Sequence, residues 1–166
     1  MFNIGDLVVY STHGVCQIDD IYEQTIIGKT REYYKLHPVE NDQHLTINAP
    51  VHGTGISIME LMDKQEAKDV LQVFSHPTKE DVNIQPATYT KLVDDGDRKE
   101  IASIINTLLR KQAEAEEDNK KLNGRDRDLL RTARSALFTE LSISLDTSVE
   151  KINNKILTMV ETEQVS

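Results

Sequence analysis

The chain has no tryptophan and only one cysteine, Cys16. One thiol excludes an internal disulfide and cannot by itself build a zinc site, so Cys16 reads as a small strand residue. The five histidines, His13, His37, His44, His52 and His76, have neither a cysteine partner nor the H-x-x-x-H spacing that sets two ligands on one helix face. A P-loop and a G-x-S-x-G elbow are missing, and the carboxylates are spread along helix surfaces without a pair held in an apolar pocket. The sequence therefore offers no catalytic constellation and implies no metal and no cofactor. No apolar run approaches bilayer length, and the amino terminus lacks a basic stretch followed by an apolar one, so a cytoplasmic protein without a membrane partner is expected. Positive charge is scarce too: the net charge of −9 argues against a general nucleic-acid coat, which needs concentrated Lys and Arg.

What is present is an ordinary globular composition, 38% hydrophobic and 28% charged over 166 residues. That length allows one domain or two small ones, and a module of about 60 residues is near the lower limit for an adequate core. Charge is segregated along the chain. Lys120, Lys121, Arg125, Arg127, Arg131 and Arg134 face only Asp126 and Asp128 between residues 119 and 134. In the first 60 residues Lys29, Arg31 and Lys35 are outnumbered by Asp6, Asp19, Asp20, Glu23, Glu32, Glu40, Asp42 and Glu60.

The opening stretch, Phe2 to Ile18, alternates turn residues with β-formers. Gly5-Asp6 is followed by Leu7 to Tyr10, then Ser11-Thr12-His13-Gly14, then Val15. Two short strands joined by a loop fit this pattern. A strand from Val15 to Tyr22 comes next, Thr25 to Thr30 reads as a short strand entering a tight turn at Gly28, and Arg31 to Leu36 is its hairpin partner. His37 to Asp42 cannot form a central strand because Pro38 has no N–H for a ladder, and Leu45 to Asn48 is a last strand stopped at Pro50. Five short strands without a helical period predict a Tudor-like or SH3-like small β-barrel over residues 1–55.

From residue 56 onward the period changes, and an all-α domain over 56–166 is expected, giving an α+β protein of two domains. Ala67, Val70, Leu71 and Phe74 mark one helix, started by Asp63 and Glu66 and ended at Ser75-His76-Pro77. Residues 76–88 read as a connection containing Pro77 and Pro86, with a single helical turn at Tyr89 to Val93. Asp97 and Glu100 stand at capping-box spacing before Ile101, Ile104, Ile105, Leu108 and Leu109, the strongest amphipathic pattern; its polar tail, Lys111 to Lys121, extends into solvent. Leu129, Leu130, Ala133, Ala136, Leu137 and Leu141 stripe the next helix. Val149, Ile152, Ile156 and Val160 stripe the last, with Thr147 and Glu150 as its capping pair.

Arg127, Arg131 and Arg134 recur at helical spacing opposite the apolar stripe, with Arg125 in the first turn. Several guanidinium groups can then reach one phosphate backbone. The bland reading, a solvated two-signed face in which Asp126 and Asp128 pair with the arginines, stands beside it.

Gly5-Asp6-Leu7-Val8-Val9-Tyr10 followed by His13-Gly14-Val15 resembles the start of the CarD/CdnL family of bacterial RNA polymerase-binding regulators. The resemblance continues to the Gly96-Asp97 helix start and to Leu122 through Arg134, where Arg127, Leu130 and Ala133-Arg134 fall on the family's basic, apolar and closing positions. The resemblance implies a Tudor-like domain docking on the polymerase β subunit and a helical domain making weak, sequence-independent contact with promoter DNA at the edge of the bubble, so that open-complex stability is changed. Carried over by position, Tyr22, Gln24, Ile26, Ile47 and Asn48 are the polymerase-binding residues; Tyr89, Lys91, Lys121, Arg125, Arg127, Arg131 and Arg134 are the DNA-binding ones. The family often has basic residues where Gln24 and Asn48 stand, and many members carry a Trp wedge before an R-Y-K-like element. Here that stretch is Asn83 to Lys91, with Ile84 in place of a wedge and Tyr89 kept. Weaker DNA contact, or dependence mainly on the polymerase, is the expectation. The alternative is an interaction adaptor that docks through its barrel without binding DNA. Oligomeric state stays open.

Overall fold

The computed structural model describes residues 1–40, 44–52, 58–78 and 84–164. By internal contacts the chain divides into two units, Met1–Leu61 and Met62–Ser166. The boundary expected at 55/56 lies within residues 53–57, outside those described. Met62 begins the second unit because Ile58–Met59 pairs back into the first unit's sheet.

The first unit is one five-stranded antiparallel sheet made of β1 (Leu7–Tyr10), β2 (Val15–Ile26), β3 (Lys29–Pro38), β4 (Ile47–Pro50) and β5 (Ile58–Met59). Its order is β4-β3-β2-β1-β5, a meander whose last strand returns to pair with the first, as in SH3-like and Tudor-like domains. The strand read as Val15 to Tyr22 continues to Ile26 as a single strand, β2, with a register shift between Ile18 and Asp20. Such a bulge re-aims a strand without ending it. Thr25 to Thr30 is not a separate strand but the tip where β2 turns through Ile27-Gly28 into β3. Pro38 is the last residue of β3, where the strand has a neighbour on one side only, in β2. The Val39 amide donates to the Val15 carbonyl at 3.0 Å, so the neighbouring proline nitrogen faces the side where β4, which starts opposite Leu36, has not begun. Val8, Cys16, Ile18, Tyr34, Leu36 and Ala49 form the core. Burial pushes the Cys16 thiol up to about 11, keeping it protonated and unreactive at neutral pH.

The second unit is helical: α1 (Lys64–Gln72), α2 (Pro86–Asp94), α3 (Arg98–Glu117), α4 (Gly124–Ser144) and α5 (Val149–Gln164). Two starts are capped as the sequence proposes, with Asp63 and Asp97 side chains accepting from the amides of Glu66 and Glu100, and Asn123, which the sequence pattern does not single out as a cap, accepts from the amide of Asp126 at the start of α4. The last cap is Ser148, whose hydroxyl accepts from Lys151 at 3.1 Å, one residue beyond Thr147. Pro86 is not a linker residue but the first residue of α2, where a missing N–H costs nothing. A single apolar core runs through all five helices, from Met62 to Val160. No helix among the described residues is long and apolar enough to cross a membrane.

Two polar networks are buried inside this unit. The Asn106 amide donates to the Val73 and His76 carbonyls at 3.2 and 2.8 Å, and Arg110 donates to Phe74 at 3.0 Å. Together they satisfy carbonyls left open where the chain leaves α1. Glu140 accepts from the Met62 amide at 2.8 Å and from Arg98 at 2.8 and 3.1 Å. Burial raises the Glu140 pKa against the pull of Arg98. Removing one partner strands the other charge, which typically costs several kcal/mol. Glu140→Ala is therefore expected to lose about 3 kcal/mol in urea unfolding, Arg98→Ala a comparable amount, and the double variant clearly less than the sum.

Candidate functional site

Alternation along a strand sends successive side chains to opposite faces, and paired residues share a face. On β2 and β3 the register sets Tyr22 opposite Tyr33, Gln24 opposite Arg31 and Ile26 opposite Lys29, while Lys35 stands opposite Asp20 on one side and Asn48 on the other. All of these lie on the face turned away from Tyr34, Leu36 and Ala49. The Tyr22 hydroxyl donates to Asn48 across β3 at 2.7 Å, and the Tyr22 and Tyr33 rings stack with centroids 5.7 Å apart. Tyr22, Gln24, Ile26 and Asn48 thus occupy one surface. Ile47 does not: it pairs with Leu36 and packs against the core, because it is one residue out of phase with Asn48.

The same alternation gathers residues that the sequence reading left unassigned. Lys29, Arg31 and Lys35 are the only basic residues in the first 61, and with Tyr33 they occupy every second position of β3. A period of two, Lys-x-Arg-x-Tyr-x-Lys, was the available signal. An otherwise acidic unit therefore carries one cationic, aromatic face. Beyond Tyr33, β3 has left β4, and beyond Gln17, β2 has left β1. The Val51 amide still donates to the Glu32 carbonyl at 3.0 Å; past it, among the described residues, Gln24–Ile26 and Lys29–Arg31 pair only with each other, forming a two-stranded arm with free edges.

The cationic group of the helical unit is less unified than its spacing suggests. At about 100° per residue, Arg127, Arg131 and Arg134 fall within about 60° of one another, and Arg125 more than about 100° away. The three flank the apolar stripe instead of opposing it. Arg134 sits over the Phe138 ring, 5.5 Å from its centroid, and donates to Asn153 on α5. Burial lowers the Arg134 pKa. Arg125 donates to the Ile84 carbonyl at 3.1 Å, and Arg131 pairs with Asp128 at 3.1 Å. Asp126 turns inward, capped by Asn123 and paired with Lys111 at 3.0 Å, so it does not neutralise the arginines. Lys91, Lys121 and Arg127 are exposed. Tyr89 is a core residue, 6% exposed, with burial pushing its hydroxyl up to about 12, and Ile84 packs against the same core; neither is free to act as a wedge.

The geometry defines a protein with a small antiparallel sheet unit, bearing a cationic-aromatic face, followed by a five-helix unit with dispersed surface cations. The family model described as the CarD-like/TRCF RID domain matches residues 2–60, and that described as the CarD C-terminal domain matches residues 58–157. The chain belongs to the CarD family, whose role is in transcription through interaction with RNA polymerase. It is also similar to a Bacillus subtilis (strain 168) protein described as "Putative transcription factor YdeB", with 26% identity over 151 residues, 86% of this chain and 92% of that protein.

The contacts of Arg134 generate a prediction. Arg134→Ala should lower stability by about 1 kcal/mol through lost cation–π and packing contact. The salt dependence of any DNA binding should stay unchanged, as measured by fluorescence anisotropy across a salt series.

Proposed function

We propose that the chain is a regulator of transcription initiation that docks on the RNA polymerase β subunit through the face carrying Tyr22, Gln24, Ile26 and Asn48. The single observation that carries this reading is the coincidence of those four residues with all three basic side chains of the sheet unit. Stacked tyrosines and arginine are favoured at protein interfaces, where they bury large area at low entropic cost. The free edges of the arm add backbone donors and acceptors that a partner strand can use irrespective of side-chain identity. The helical unit then acts on the stability of the promoter open complex by sequence-independent contact. Lys91, Lys121, Arg127 and Arg131 remain available for phosphate; Arg125 contributes only if it releases Ile84. With a net charge of −9 and no tryptophan, that contact is weak outside the assembly and depends on the polymerase to hold the helices beside DNA.

A second reading, an adaptor that docks without touching DNA, is favoured by the internal contacts of Arg134 and the burial of Tyr89.

Gln24→Asp combined with Asn48→Asp places two carboxylates in the cationic face without touching the core. The full-length double variant should bind core polymerase at least about tenfold more weakly than the native chain, measured by biolayer interferometry. Equal binding would remove the face from the interaction. Arg127→Glu with Arg131→Glu separates the two readings: the regulator loses promoter-complex stabilisation and about two units of log–log salt slope, whereas the adaptor loses neither.

A further inference from the structure

The turn joining β2 to β3 is built from Ile27 and Gly28, both with positive φ, 52° and 73°. A two-residue hairpin turn of this kind favours Asn-Gly, because a β-branched residue at positive φ is sterically opposed. Gly28 fits its place; Ile27 does not. The strained residue gains nothing visible in return, for its side chain is 97% exposed and belongs to neither apolar core. Ile26 beside it is 51% exposed. Two adjacent isoleucines at the end of an arm also invite edge-to-edge association, a liability that soluble proteins usually suppress.

We infer that Ile27 is a docking anchor, which the turn holds outward so that a partner protein can bury it. The chemistry of the partner follows from the surroundings. Ile26, Ile27 and Tyr33 line a shallow concavity of about 350 Å³ with Lys29 and Arg31. Such a surface fits a protein segment that presents an apolar side chain next to carboxylates, and the two cations set its orientation. Strain that the isolated chain bears is tolerated where the exposed group serves recognition. This inference rests on the polymerase-docking reading and adds the arm's tip to the docking face as its apolar, acid-seeking contact.

The test uses the full-length chain and core RNA polymerase. Ile27→Asn removes the apolar group and gives the turn its preferred residue. The expected result is a melting temperature raised by about 3 °C together with polymerase affinity reduced about tenfold. Ile27→Val keeps most of the apolar group and should stay within about threefold of the native chain. Lys29→Glu with Arg31→Glu should weaken binding most at low salt. Native affinity in Ile27→Asn, while Gln24→Asp/Asn48→Asp binds poorly, would overturn the anchor and leave the docking face standing. Failure of the native chain itself to bind polymerase would overturn both. A concentration-dependent dimer that Ile27→Asn dissolves, seen by sedimentation, would make a second copy the occupant and overturn the assignment to an acidic partner. Binding of the native tip to anionic vesicles with equal loss in Ile27→Asn would do the same in favour of lipid.

Discussion

The alternation of side chains along β3 is the constraint on which the sheet unit depends. Tyr34 and Leu36 must face inward to close a core of only a few large residues, and Leu36 is fully buried. Once they do, Lys29, Arg31, Tyr33 and Lys35 have no choice but to face outward together. Slipping the register by one residue would turn Lys35 into the core and expose Tyr34 and Leu36. The cationic face is therefore not an addition to the fold that could drift independently. It is the reverse side of the same strand that holds the sheet together, and the neighbours it recruits on β2 and β4 follow from the pairing register.

The helical unit shows the opposite arrangement. Its cations are drawn partly into internal work: Arg98 neutralises a buried carboxylate, Arg110 satisfies a carbonyl beyond α1, and Arg134 bridges α4 to α5. A count of basic residues along α4 overstates what the surface can offer to a polyanion. The sheet unit, acidic in sum, presents the more coherent positive surface. Net charge and surface function point in different directions in each half, and only the placement of individual side chains distinguishes them.

This also explains what could be read from the sequence. Local signals were legible because they depend on near neighbours: the capping residues Asp63 and Asp97, the apolar stripes of α3 and α4, the hairpin around Gly28. Placing Tyr22, Gln24, Ile26 and Asn48 on one surface was legible in part, since alternation is local, although Ile47 was assigned to the wrong side. Less accessible were features decided by distant partners. Nothing near Tyr89 in sequence says that α3 will cover it; Phe138 is an i,i+4 neighbour of Arg134, but nothing nearby announces Asn153 on α5 as its second anchor; and the continuity of β2 through a bulge depends on β3 matching it on both sides. Pro86 misled for a different reason: proline ends helices in their interiors but begins them comfortably at the first position.

The bond between the Met62 amide and Glu140 spans 78 residues. During synthesis the sheet unit, whose pairings all lie within the first 61 residues, has every partner it needs long before α4 is made. The helical unit does not. Its first residue waits for a carboxylate near the far end of the chain, and α1 has its full set of packing partners only after α4 has emerged from the ribosome. The nascent chain thus passes through an interval in which a finished sheet unit, with its cationic face complete, is joined to helices that have not yet closed. Order of assembly, as well as final geometry, makes the sheet unit the first part of the protein able to meet a partner.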